Sequence, residues 1–332
     1  MSRAVSVASL SKSYGRVKAL DNVSFEVDER EIFGFLGPNG AGKTTAIKIM
    51  LGLTRPDKGH VEIFGIDVQS KPDRARENIG YVSQNLSLSN EITGYENLLI
   101  SAKLYGVPSS IRKSRITEIM DLLGIQDRAN DLVKKYSGGM MRRLEIGAAL
   151  VHRPRLLILD EPTIGLDPQV RLVVRELLRR LVDEFGITIF LTTHDMGEAD
   201  ELCEKIAIIN SGKIGVVDTP TNLKRSVGGD SIQFETKAPE KALSILTGKF
   251  GDTKPIAKNN TISMIVNSAE TALPLLINTL TRAGVIVDAI HSHRPTLDDV
   301  FLKYAGSRLT DVEREGDYSH VKQVRRTFRR MR

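Results

Sequence analysis

Hydrophobic patterning divides the chain into two parts. In the first, short continuous apolar runs alternate with helical spacings. Ile32, Phe33, Phe35 and Leu36, then Leu156–Leu159, then Ile187–Thr193, read as strands buried on both faces of a parallel sheet. Ile47, Ile49, Met50, Leu51 and Leu53 predict a mostly buried helix, and Leu144, Ala148 and Val151 recur at helical spacing behind Ser137, a plausible N-cap. Between Gln84 and Tyr136 the segments Tyr95–Leu104, Ser110–Leu123 and Asp127–Lys134 read as helical, with Leu98, Leu99, Ala102 and Tyr105 on one face and Ile116, Ile119, Met120 and Leu123 on another. From Ser231 onward the pattern changes. Ile232, Phe234 and Thr236 alternate as a strand, Pro239–Phe250 reads as helix, Ile256 and then Ile262, Met264 and Val266 mark two strands, Ala269–Ala283 is helical and Val285–Ile290 is a strand. The expectation is an α/β unit followed by a small α+β unit in the order β-α-β-β-α-β.

The turns carry the chemistry. Between the first apolar run and its helix lies GPNGAGKTT: Gly37, Pro38, Asn39, Gly40, Ala41, Gly42, Lys43, Thr44 and Thr45. Strand, glycine-rich loop and helix form the context that G-x-x-x-x-G-K-[ST] requires. Glycines let backbone N–H groups close around phosphate oxygens, and the helix N-terminus adds positive dipole. Lys43 would reach the β- and γ-phosphates, and the Thr44 hydroxyl would hold Mg²⁺. Leu156–Leu159 ends in Asp160-Glu161-Pro162, which puts two acids at the strand end where ligands bind in such sheets. Asp160 is placed to hold Mg²⁺, usually through water, and Glu161 to orient or deprotonate an attacking water. Tyr136–Met140 reads YSGGM, and its two glycines at a helix start offer a second anion-binding end.

The order GPNGAGKTT, Gln84, YSGGM, LLILDEP, Leu166-Asp167 and His194 resembles the ATP-binding subunit of ABC transporters over about Val5 to Leu223. That resemblance implies a P-loop ATPase domain with a helical subdomain, and ATP and Mg²⁺ as cofactors. It also implies a head-to-tail pair, a homodimer or a pair with a similar subunit, in which each ATP lies between one chain's phosphate loop and the other's signature. Lys43 and Thr44 then act in cis, and Ser137, Gly138 and Gly139 in trans. Gln84 resembles the loop glutamine that touches Mg²⁺ and water and senses the transporter. Asp167 resembles the residue that joins the two sites, and His194 the histidine that contacts the γ-phosphate. Tyr14 resembles the aromatic residue that stacks on adenine, since every base offers a π-face. Two departures stand out: Met140 occupies the usual glutamine position of the signature, and Ile164 the usual serine position before Leu166-Asp167.

The implied division is an ATP-binding domain at 1–225 with its helical subdomain at about 85–136, a small ferredoxin-like α+β domain at 226–306, and a charged linker and basic tail at 307–332. Pro295-Thr296-Leu297-Asp298-Asp299-Val300-Phe301-Leu302 resembles the ending of the daunorubicin-resistance branch, whose members export drugs through a separate membrane subunit. Without any long insertion in the helical segment, a soluble ABC ATPase of translation or repair is the weaker reading. An importer subunit is the nearer rival. No Asn-Lys-x-Asp segment is present to read guanine. His291 and His293 lie two apart on the last strand, with no third metal ligand near them in sequence.

Composition adds limits. Of 332 residues 41% are hydrophobic and 27% charged, as expected of a globular chain with a sizeable core. No run approaches the roughly 20 mostly apolar residues of a membrane-spanning helix, and the short, serine-broken stretch Ala4–Leu10 does not read as a secretory signal. The single cysteine, Cys203, excludes an internal disulfide and fits a reducing compartment. The expected location is therefore the cytoplasmic face of the cell membrane, beside a transmembrane permease subunit. The net charge of +6 equals the six basic residues between Lys322 and Arg332, so the rest of the chain is neutral and no specific nucleic-acid partner is expected. In that tail Val321, Val324, Phe328 and Met331 share a helical face. It reads either as a solvated tail or as a basic amphipathic helix on anionic lipid, with an acidic loop of the membrane partner as a third reading.

Overall fold

The computed structural model describes residues 2–250, 253 and 255–305; the expected basic tail lies outside them. The chain opens with a hairpin of β1 (Arg3–Tyr14) and β2 (Val17–Asp28), then β3 (Ile32–Leu36), α1 (Lys43–Met50), β4 (Lys58–Ile63), β5 (Ile66–Asp67), α2 (Pro72–Arg76) and β6 (Ile79–Val82). Three helices follow, α3 (Gly94–Leu104), α4 (Ser109–Leu122) and α5 (Gly138–Leu150), then β7 (Leu156–Asp160), α6 (Pro168–Asp183), β8 (Thr188–Thr193), α7 (Met196–Leu202), β9 (Lys205–Asn210), β10 (Lys213–Asp218) and α8 (Pro220–Val227). The last part holds β11 (Asp230–Glu235), α9 (Pro239–Lys249), β12 (Ile256–Lys258), β13 (Thr261–Val266), α10 (Ala269–Arg282), β14 (Ala289–His293) and α11 (Leu297–Ala305).

The central sheet has the order β10-β9-β3-β8-β7-β6, parallel from β9 to β6 with β10 antiparallel at the edge. Every residue of β3, β7 and β8 is buried, because both faces are covered. One face, with Phe33, Phe35 and Phe190, packs on Phe25 of the antiparallel sheet β2-β1-β4-β5; the ring centroids lie 5.2–5.8 Å apart. The other face, with Ile32, Leu36, Leu157 and Leu159, packs against the helices, including α5 through Leu144 and Ile146. The parallel strands all point the same way. Their C-terminal ends therefore bring Gly37, Asp160 and Thr193 to one edge of the sheet.

Two segments differ from the sequence reading. Asp127–Lys134 does not form one helix: it splits into 3-10 turns at Gln126–Arg128 and Val133–Lys135. The N–H groups of Val133 and Lys134 donate instead to Ile92 and Asn90, so this stretch is pinned to the chain entering α3. The last strand lies at Ala289–His293 rather than Val285–Ile290, in register with β11 from Glu235↔Ala289 to Ser231↔His293. Val285 is instead a buried core residue ahead of the strand, its N–H held by Leu280.

The C-terminal sheet, order β12-β13-β11-β14, is antiparallel throughout, and its core cluster draws on α9 and α10. This is the strand order of a split β-α-β-β-α-β unit. Helix α11 belongs elsewhere. Leu297, Val300 and Phe301 join the large cluster of the first part, together with Leu223, Ile206 and Ile208.

Candidate active site

The phosphate loop is shaped by its glycines. Gly40 and Gly42 have φ of +79° and +112°, where other residues are strained, and a Cβ on Gly37 or Gly42 would come within 2.4 Å of the Ile209 or Ala19 carbonyl oxygen. Asn39 and Gly40 are exposed at the tip, Pro38 is partly buried and Ala41 buried, and Thr45 lies on α1 beside Thr44. Lys43 is only 6% exposed. Its Nζ donates to the Gly37 carbonyl at 2.6 Å and pairs with Glu161 Oε1 at 3.2 Å.

Around it β7 and β8 assemble a network. Thr44 Oγ1 donates to Asp160 Oδ2 at 3.4 Å, and Thr192 Oγ1 donates to Asp160 Oδ1 at 2.5 Å. The Glu161 N–H reaches both the carbonyl and the hydroxyl of Thr192 at 3.1 Å. Glu161 holds φ +50°, an uncommon conformation for a non-glycine residue, and these bonds help to hold it there. His194 Nδ1 lies 3.1 Å from Glu161 Oε2. Lys43, Thr44, Asp160, Glu161 and His194 thus meet around one point at the end of the sheet.

Ser137, Gly138, Gly139 and Asp167 form a second group at the starts of α5 and α6. Ser137 caps α5, its hydroxyl accepting from the Met140 N–H, and Asp167 caps α6, accepting from the Val170 N–H at 3.0 Å. Gly139 fits tightly between these helices: a Cβ there would lie 2.3 Å from Val170 Cγ1, whereas a Cβ on Gly138 would meet only Leu166 Cδ2, in ordinary contact at 3.9 Å. Among the described residues no hydrogen bond or ion pair links Ser137, Gly138 or Asp167 to Lys43 or Glu161. Tyr14 stands apart at the end of β1, half-exposed, with Lys12 Nζ 5.5 Å from its ring centroid. His291 and His293 are exposed on β14, and His293 Nε2 pairs with Asp299 at 3.2 Å. No group of three or more His, Cys, Asp or Glu side chains among the described residues could hold a metal ion.

Gln84 is exposed, but its backbone is not free: its carbonyl accepts from Arg142. Sequence reasoning passed over Arg142 and Glu145, a buried ion pair at 3.0 Å on α5. Two charges three residues apart on the side of the helix that also carries Ile146 and Ala149 were a readable signal, since charges are rarely buried unless paired. Burial pulls the Arg142 guanidinium below its usual value, against the opposing pull of Glu145. Thr192 was also missed, although it joins both acids.

Residues 20–164 match the ABC transporter family, and residues 219–305 match the C-terminal domain of DrrA1-3-like ATP-binding proteins. The daunorubicin resistance ATP-binding protein DrrA2 of Streptomyces coeruleorubidus is 38% identical over 93% of this chain and 97% of its own length. The chain belongs to the ABC transporter ATP-binding subunits. The Nod factor export ATP-binding protein I of Sinorhizobium fredii is 36% identical over 93% of this ATPase and 88% of its own length. Among solved structures, the dimeric ATP-binding cassette MJ0796 with ADP and Pi is 28% identical, with a TM-score of 0.58 over 65% of this chain and 98% of that one. The ABC subunit is accordingly an ATP-hydrolysing enzyme, and no helix among the described residues is long and apolar enough to cross a membrane.

The donor chemistry fits Mg²⁺. Thr44 Oγ1 and Asp160 Oδ2 are two neighbouring oxygens beside the phosphate loop, and Mg²⁺ takes one or two protein oxygens with water and substrate phosphate.

Proposed function

We propose that this ATPase drives an exporter whose membrane-spanning part is a separate subunit, at the cytoplasmic face of the cell membrane. The observation that carries this reading is the match of 219–305 to the DrrA-like C-terminal domain, behind an ATPase similar over nearly its whole length to resistance and Nod factor export subunits. In this reading Lys43 and the backbone of Gly37–Thr45 hold the β- and γ-phosphates, and Tyr14 stacks on adenine. Thr44, Asp160 and Gln84 would hold Mg²⁺, which would offset charge on the phosphates. Glu161 takes the proton of the attacking water, with His194 fixing the other carboxylate oxygen and contacting the γ-phosphate. Ser137, Gly138 and Gly139 close on the ATP of a second copy or a similar subunit, and Asp167 joins the two sites. Support for pairing comes from the exposed, capped end of α5 and from the dimeric MJ0796 cassette. The basic tail adds attraction to anionic lipid, worth about 1 kcal/mol per basic residue near the surface.

The test is co-purification from detergent-solubilised membranes with a co-expressed membrane-spanning permease candidate, followed by transport in inside-out vesicles. ATP-dependent accumulation of cargo inside such vesicles is expected. Coupling to a permease that requires an external substrate-binding protein would overturn the export reading.

A further inference from the structure

One buried guanidinium touches three segments that the proposed reaction needs to keep in register. Arg142 Nη1 donates to the Ser83 carbonyl at 2.8 Å and to Glu145 Oε2 at 3.0 Å. Nη2 donates to the carbonyls of Gln84 and Glu161, both at 3.2 Å. The other oxygen of Glu145 accepts from Ser87 twice, from its N–H at 2.7 Å and its hydroxyl at 2.9 Å. Arg142 and Glu145 are each 3% exposed. The pair therefore fastens both ends of the segment Ser83–Ser87 to α5, and fastens the backbone of Glu161 to the same helix.

We propose that Arg142 is a positioning residue for hydrolysis: through three carbonyl oxygens it fixes where the Gln84 loop and Glu161 stand relative to each other, with Glu145 as its counter-charge. The proposal rests on the reading of Glu161 as the base. Glu161 sits at φ +50°, and its N–H is held from one side by Thr192 and its carbonyl from the other by Arg142. A strained residue keeps its conformation only when its surroundings over-determine it. Arginine suits the task because its planar fork has five donors, whereas a lysine offers a compact charge that cannot span three carbonyls in the same way. The same helix begins at Ser137, so the residue that ties the loop to the base also ties both to the signature end.

Because a single substitution strands the other charge in the core, the decisive variant is the double Arg142→Met, Glu145→Met, which removes both charges while keeping side-chain bulk. Arg142→Lys accompanies it as the charge-preserving change. Full-length protein is measured for melting temperature, ATP KM and kcat, and the Mg²⁺ concentration giving half-maximal rate. With folding and KM close to wild type, kcat is expected to fall by about 10- to 100-fold in both, the scale of a small misplacement of reacting groups, and the Mg²⁺ requirement to rise. A double variant that folds and turns over within about twofold of wild type would overturn the clamp, since it lies below the range expected for misplaced groups. Glu161→Gln, run in parallel, separates the two readings. If it is slow and the double variant is normal, the clamp alone fails; if Glu161→Gln itself turns over normally, the base assignment fails and takes the clamp with it.

Discussion

The two halves of the site are built on opposite plans. The phosphate-loop half is internally closed: Lys43 is buried, its charge meets Glu161, and Asp160 is tied to Thr44 and Thr192. The signature half is open. Ser137 and Gly138 are exposed, and their interactions stay within the caps of α5 and α6 and the close fit of Gly139 on Val170. A buried charge without a partner is costly, so the first half must be neutralised within its own chain. The second half spends its own polar side chains, Ser137 and Asp167, on helix caps, and in the proposed reading its exposed helix end meets a phosphate from outside. In the proposed reading the contrast gives a catalytic half that is ordered by its own contacts and a recognition half that is displayed.

The largest expected effect falls on the closed half. Glu161→Gln should keep ATP binding and lose about 10²- to 10⁴-fold in turnover, the range for removing a general base, and should collect as an ATP-bound dimer. Phosphate release and size-exclusion chromatography check this; near-normal turnover removes Glu161 from that role. Next, Lys43→Ala and Ser137→Arg proteins, each inactive alone, should recover part of the activity when mixed, because a mixed pair retains one intact composite site. Activity independent of protein concentration in a chain shown to stay monomeric would instead make the open half a surface without a partner.

Smaller effects sharpen the boundary between the halves. Gly139→Ala should lower stability by about 1–3 kcal/mol through overpacking on Val170, while Gly138→Ala should leave the melting temperature unchanged and reduce only turnover. Equal melting temperatures for the two would contradict the close fit between α5 and α6. Tyr14→Ala should weaken ATP binding least, by about 1 kcal/mol or roughly fivefold, the lower end for loss of one base stack. A fluorescent nucleotide titration reads this directly.

The legible parts of the molecule are those where local pattern and chemistry coincide. GPNGAGKTT, LLILDEP and the alternation at Ile232–Thr236 each pair a period with a turn or an acid, and the strands beside them are present as β3, β7 and β11. The antiparallel sheet β2-β1-β4-β5 is less legible: Val5 and Val7, and Val23, Phe25 and Val27, alternate as buried positions, but the strands carry no chemical motif. Asp127–Lys134 misled because its composition tolerates helix while its backbone is claimed by Asn90 and Ile92, distant partners that no local window contains. The i,i+3 pairing of Arg142 with Glu145 is local, but the carbonyls that Arg142 holds are hidden for the same reason. Its partners Ser83 and Glu161 lie 59 and 19 residues away, and only the fold brings their carbonyls together.

Helix α11 changes what the small C-terminal sheet is. Its apolar face sits in the ATPase core beside α8, where Tyr304 Oη is 3.4 Å from Ser226 Oγ and Lys303 donates to the Ser226 carbonyl. The chain thus leaves the ATPase through one helix and returns through its immediate neighbour. Topologically the sheet is an insert with both stalks planted in the same wall, not a trailing appendage. A single protease cut inside it therefore releases nothing: the two fragments travel together until a denaturant parts them, and a fusion added after residue 305 is anchored to the motor rather than to the insert.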